Sequence, residues 1–342
     1  MRRSISISNL LVLLIAMVLL FVGIRYILNQ PERHRSTPSD WQIWFPEFDV
    51  NAMAEQDSVL WIGGKKGIRG LNIYSEQVVF LPDGGQDLKY VSGLATDSAG
   101  QLWIAHANGL CLIRGENMLS FDMEDGLPDN RVNTVYCDRS GRLWIGTWGG
   151  AAWLDNDQWV KVNGDPGLIH PMVNVIFQDQ SYGMWFGSYV APRGGLSYLN
   201  SGNWYHWSTD NGLPHPNVTS IIQNNDNIWV GTGLYNRGGA MRIELSGKNP
   251  ELLKTSVLNS RDGLAGDKVR SLFADANENI WFGFEYSGIS VLKHKDFHNI
   301  SHKQGLSNNE VKCFLKNPRG LWIGTRKGLT LIEALALHRL ME

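Results

Sequence analysis

The sequence has little cysteine, no excess of either charge and no recognisable catalytic constellation. Three thiols, Cys111, Cys137 and Cys313, stand among 342 residues with neither a C-x-x-C pair nor a Cys/His metal spacing. A metal cluster is therefore not expected, and no cofactor is implied. Each cysteine lies in an apolar, strand-like stretch and reads as a buried thiol, and their odd number leaves the redox compartment unread. Lys and Arg number 31 against 33 Asp and Glu, and the cations never gather into a stripe. Without that footprint nucleic acid is excluded as a partner. With 43% hydrophobic and 19% charged residues, general disorder is excluded too.

What is abundant is glycine, 37 residues, together with 14 tryptophans. That pairing points to short strands joined by tight turns. The first 40 residues differ. After Arg2 and Arg3 the run from Leu10 to Ile24 carries no charge, and Arg25 can snorkel so that the apolar span reaches Leu28. At 1.5 Å per residue its helix would be about 28 Å long, close to the thickness of a bilayer core. A cleaved signal peptide is the rival reading, but no small-x-small site follows the run. The expected organisation is a basic segment 1–8, a single-pass membrane anchor 9–28, a linker 29–40 and one domain 41–342, placed outside the cytoplasm.

A pentapeptide recurs through that domain, beginning at Leu60, Leu102, Leu143, Met184, Ile228, Ile280 and Leu321 and reading LWIGT in its commonest form. The steps of 42, 41, 41, 44, 52 and 41 residues suit four-stranded propeller blades. Blade three parses into strands over 132–138, 142–147, 151–155 and 158–162, with turn residues between them. The Leu-Trp-Ile runs are apolar on consecutive positions, which demands burial on both faces. Blades packed face to face meet that demand, so the seven pentapeptide tryptophans read as core between blades. The glycine two residues after each tryptophan, Ala105 in blade two, reads as a place where one backbone passes close to another. The predicted fold is all-β, a seven-bladed propeller preceded by one transmembrane helix. Blade seven lacks a fourth strand before a Leu-rich, helical tail at 333–342. Trp41-Gln42-Ile43-Trp44-Phe45 resembles the other fourth strands and would close the ring.

Asp125-Gly-Leu-Pro-Asp-Asn-Arg-Val-Asn-Thr-Val, followed by Asp138-Arg-Ser-Gly-Arg-Leu-Trp-Ile-Gly-Thr, closely resembles the two-component regulator propeller repeat. Weaker copies begin at Gly212, Gly263 and Gly305. The resemblance implies the periplasmic sensor module of hybrid histidine kinases, often directed at carbohydrates. These residues include no kinase, receiver or DNA-binding segment, so the resemblance implies a sensor kinase or envelope protein on another chain as signalling partner.

Loops joining strands two and three, and strand four to the next blade, share one face of a propeller and are where function concentrates. Two of them are long, and each carries a tyrosine and an arginine: Tyr189 with Arg193, and Tyr235 with Arg237. His170 and His215 stand in neighbouring connections; Trp148, Glu285 and Arg326 adjoin the pentapeptides, as do Lys65 and His106. Flat aromatic surface beside guanidinium forks suits a sugar or a small anion, and Glu285 with Tyr286 could pair with those arginines or hold a cation. Ligand sensing is the leading reading. A scaffold for envelope proteins is the second. A lyase similar to the streptogramin lyases is the third, with His170 or His215 and Glu285 as its acid–base groups.

Overall fold

A computed structural model describes residues 38, 40–81, 88–164, 166–245 and 253–341. The apolar run expected to anchor the chain lies outside them, and no helix among the described residues is long and apolar enough to cross a membrane.

Seven antiparallel four-stranded sheets follow one another along the chain, and the first strand of each packs on the first strand of the next. Blade three comprises Val132–Cys137, Leu143–Thr147, Ala151–Asp155 and Gln158–Lys161. Blade seven takes three strands from the end of the chain, Val311–Asn317, Gly320–Thr325 and Gly328–Glu333. Its fourth is Trp41–Trp44, aligned antiparallel from Trp41 opposite Ile332 to Trp44 opposite Leu329. First strands of blades seven and one then meet, so the ring is closed and no blade is left with an open face. A helix, Ala334–Met341, follows on the face where Trp41 enters.

Three repeated residues build this ring. Val50, Val91, Val132, Val173, Val218, Val269 and Val311 open the inner edge of the seven blades and are at most 2% exposed. Each faces the pentapeptide of the preceding blade: a Cβ on Gly146 would lie 2.7 Å from Val173 Cγ1, and one on Gly324 2.6 Å from Val50 Cγ1. The glycine thus makes room for a neighbouring side chain, where the sequence had pointed to a neighbouring backbone. Tryptophan is the second, its ring buried between blades while its indole N–H, in six of the seven blades, finds an acceptor in its own blade. Asp97, Asp138, Asp179 and Asp275 each accept that N–H from their own blade at 2.8–3.0 Å, and Asn317 does the same for Trp322. The other carboxylate oxygen caps the hairpin: Asp138 Oδ1 accepts the N–H groups of Ser140 and Arg142, both at 2.9 Å. Burial pushes the Asp138 carboxyl up, but the Ser140 hydroxyl, the Trp144 indole and these amides outweigh it and hold it below the usual range.

Leucine is the third. Leu127, Leu213, Leu264 and Leu306, each at most 4% exposed, plug the gaps between blades where one blade's outer strand returns to the next blade's inner strand. Three of these returns contain a single 3-10 turn with a reciprocal capping box, on Ser208, Asn259 and Ser301. Each ends on a glycine at positive φ, 106° at Gly212.

Candidate functional site

The residue after each inner-edge valine projects at the channel. In six blades the pairing of first and second strands slips at that position, between Val132 and Thr134 in blade three for example, and the bulge turns the extra side chain out of the ladder. The seven residues so placed are Asn51, Ser92, Asn133, Asn174, Thr219, Arg270 and Lys312. Blades one to five use theirs to tie the ring. Asn51 donates to Val91 O at 3.0 Å, Ser92 to Val132 O at 2.6 Å, Asn133 to Val173 O at 2.9 Å, Asn174 to Val218 O at 3.3 Å and Thr219 to Val269 O at 2.5 Å.

Blades six and seven break that pattern with charge. Arg270 donates to Glu285 at 2.7 Å and to Glu310 at 2.9 Å; Lys268 pairs with Glu285 at 2.8 Å. Lys312 pairs with Asp49 of blade one, donates to Asn51 Oδ1 at 3.1 Å and lies 3.6 Å from Glu310. Cation and anion alternate across three blades. Burial pushes the Glu285 carboxyl up, and the Lys268 hydrogen bond with the Arg270 charge overcomes it, so Glu285 stays ionised well below the usual carboxylate range.

Above the ring lies a cavity of about 460 Å³. Lys268, Arg270 and Lys312 line it on the side of blades six and seven, the neutral ring residues and Tyr189 of blade four elsewhere, and among the described residues no carboxylate lines it. Glu285, Glu310 and Asp49 stand behind the cations and hold them in place. Ser92 and Thr219 have given their single hydroxyl protons to valine carbonyls and keep acceptor lone pairs, whereas each asparagine has given one of its two N–H groups and keeps the other, so this arc offers both acceptors and donors, and the cations offer donors only. One arc therefore suits an anion and the other suits hydroxyl groups.

The residues picked out by the sequence divide. Tyr189 lines this cavity. Tyr235 and Glu285, with Tyr286, line a smaller pocket of about 220 Å³ between blades five and six, which shares Lys268 with the first. Arg193 and Arg237 are exposed on their loops and line neither, and Glu285 pairs with Lys268 and Arg270. Trp148 donates to Asn133 Oδ1 at 3.1 Å beneath the Arg131 guanidinium, 4.0 Å from its ring centre. Arg326, largely exposed, reaches Glu310 at 3.5 Å. His106 is buried with Nε2 3.4 Å from the Cys111 thiol, and Lys65 lies over Tyr90. His170 Nδ1 accepts the Met172 N–H at 3.0 Å and His215 Nδ1 the Asn217 N–H at 3.1 Å, as Asp129 does for Arg131 and Asn308 for Glu310. Both histidines are thus turn caps. Burial lowers both pKa values, helped by Arg193 at His170 and by Lys268 and Arg237 at His215. Lys268, Arg270 and Lys312 escaped sequence reasoning. The signal for Arg270 and Lys312 was a polar residue nine or ten positions before every pentapeptide, directly after a valine; Lys268, on the other side of its valine, had none.

The two-component regulator propeller profile matches residues 126–149 and 212–233, the segments of the strongest Gly-Leu-Pro motifs. The chain carries two-component regulator propeller repeats. No curated protein matches it. Among solved structures it is similar to the extracellular domain of a putative hybrid two-component system of B. thetaiotaomicron, at 19% identity and a TM-score of 0.73 over 88% of this chain and 42% of that one. A second such domain from that organism gives 17% and 0.66, over 86% and again 42%. The chain spans under half the length of these two domains. Virginiamycin B lyase of Staphylococcus aureus, at 16% identity and 0.64, is covered over 98% of its length by 85% of this chain. At such identities these likenesses establish the propeller fold of the repeats.

Proposed function

We propose that the protein is a sensing module whose channel mouth binds a small, hydroxylated anion of sugar-acid type and reports it to a signalling protein on a separate chain. The observation that carries this reading is the lining of the cavity: three cations held forward by acids behind them, opposite an arc of neutral Asn, Ser and Thr side chains that can hydrogen-bond to hydroxyl groups. Its repeats and its likeness to extracellular domains of two-component systems support sensing outside the cytoplasm, with the apolar run 9–28 as anchor.

The test is a calorimetric and thermal-shift screen of the full chain against uronic acids, the matching neutral sugars and inorganic anions. A ligand should raise the melting temperature in proportion to its occupancy. Arg270→Gln and Lys312→Gln should each weaken a bound uronic acid by at least about tenfold, the worth of one charged hydrogen bond. Arg193→Ala with Arg237→Ala measures what the long loops add. If acid and neutral sugar bind alike, or if the bound acid ignores Arg270→Gln and Lys312→Gln, the channel mouth is not the site.

A further inference from the structure

The pocket between blades five and six exists because the repeat changes there twice. At the position where Asp129, His170, His215 and Asn308 cap a backbone N–H two residues on, this connection has Gly266. No side chain fills that space, and a Cβ added at Gly266 would come 2.8 Å from Ser287 Oγ. At the next position the equivalents are Asn130 and Asn309, whose side-chain oxygens accept the N–H groups of Met123 and His302. Asp267 does the same for Ser260 at 2.7 Å. The hydrogen bond is identical, so the carboxylate adds a negative charge that the turn does not require.

The charge faces a cleft floored by Phe284, 1% exposed, and rimmed by Tyr235 and Tyr286, which are 73% and 56% exposed. Tyr235 sits at φ 53°, left-handed backbone that a bulky residue rarely adopts. Two acids and one lysine line the cleft; Glu285 pairs with Lys268 and Arg270, whereas Asp267 makes no ion pair among the described residues. Aromatic rims, a dry floor and a carboxylate outside the ion-pair network together favour a small organic cation: the rings attract it through their faces and the carboxylate through its charge. An inorganic anion is repelled.

We propose that this pocket is a second binding site, specific for a primary or methylated ammonium group. It stands independently of the channel-mouth reading, although Lys268 borders both cavities.

Choline and tetramethylammonium are titrated into the full chain by calorimetry, with glucose as the neutral control. Saturable binding of the two cations is expected, at least about tenfold weaker in Asp267→Asn and in Tyr286→Ala and unchanged in Lys312→Gln, whose partners Asp49, Asn51 and Glu310 do not line this pocket. Asp267→Asn is the decisive variant, because Asn130 and Asn309 show that the turn accepts asparagine. Three results overturn the proposal: no saturable binding of either cation, binding that survives Asp267→Asn, or glucose binding that is lost in Tyr286→Ala. Failure of uronic acids at the channel mouth leaves the cation titration untouched, so the two readings fail separately.

Discussion

The pentapeptide glycine meets a valine of the next blade, 27 to 38 residues ahead in sequence for Gly63, Gly146, Gly187, Gly231 and Gly283 and back at Val50 for Gly324. A methyl group on Gly63 would run into Val91 Cγ1, the valine that opens the next blade, with Leu94 Cδ1 next at 3.3 Å. Gly63→Ala should therefore destabilise the domain by about 1–3 kcal/mol through overpacking. Val91→Ala also costs stability by leaving a void. Combined, the two should cost clearly less than their sum, with a coupling of about 1 kcal/mol or more in a denaturation cycle; additive losses would mean that Gly63 is needed for backbone reasons instead. Glycine at this position was legible as a sign of close approach. Which atom approaches was not, because periodicity in one blade says nothing about the rotation between blades. The residues of the channel mouth were hidden for a related reason. Asn51, Asn133, Arg270 and Lys312 have unlike side chains, and only a bulge shared by their strands brings them to one ring.

The connections between blades are where a structural role and a functional one look alike in sequence. His170 and His215 stand in connections that follow a glycine, beside the long loops on the face that carries the cavities, which is why they invite a catalytic reading. Their Nδ1 atoms accept backbone N–H groups, as Asp129 and Asn308 do in equivalent turns. An accepting Nδ1 bears no proton, so His215 is held neutral with its proton on Nε2. Its folded pKa is depressed below 6.5, first by burial and then by Lys268 and Arg237. As pH falls, the unfolded chain takes up the proton before the folded one. Stability present above the unfolded pKa is thus lost as the pH drops through the folded value. His215→Asn keeps the cap and removes the ionisation. Its melting temperature should match the parent near pH 7.5 and fall less than the parent's on going to about pH 5. An unchanged loss would place the acid sensitivity elsewhere.

For the molecule as a whole, stability depends on closing a ring whose last blade is shared between the two ends of the domain. Seven pentapeptides made the blade count legible, and the missing fourth strand after Ile332 pointed to Trp41 as its source. Polar ties across the same seam were not legible, since they join positions more than 240 residues apart. Arg319 of blade seven donates to Ile73 O at 2.8 Å and to Gln42 at 3.1 Å, Asn317 donates to Glu55 at 2.9 Å, and Lys312 reaches Asp49 and Asn51. Apart from the bond to Gln42, which lies within blade seven, these hold blade seven to blade one, and none covers a sheet edge. Trp41–Trp44 does that, satisfying the outer edge of Gly328–Glu333. Deleting residues 41–46 would expose that edge, and the groove formed by Trp41, Phe297 and Leu340 would lose its Trp41 side. The truncated domain is expected to aggregate or to lose its cooperative melting transition, measured by size-exclusion chromatography and calorimetry. Removing a polar tie alone, as in Arg319→Ala, should lower the melting temperature while leaving a monomeric, cooperative protein. A truncation that stays monodisperse with an unchanged melting temperature would show that the polar seam, and not the shared strand, closes the ring.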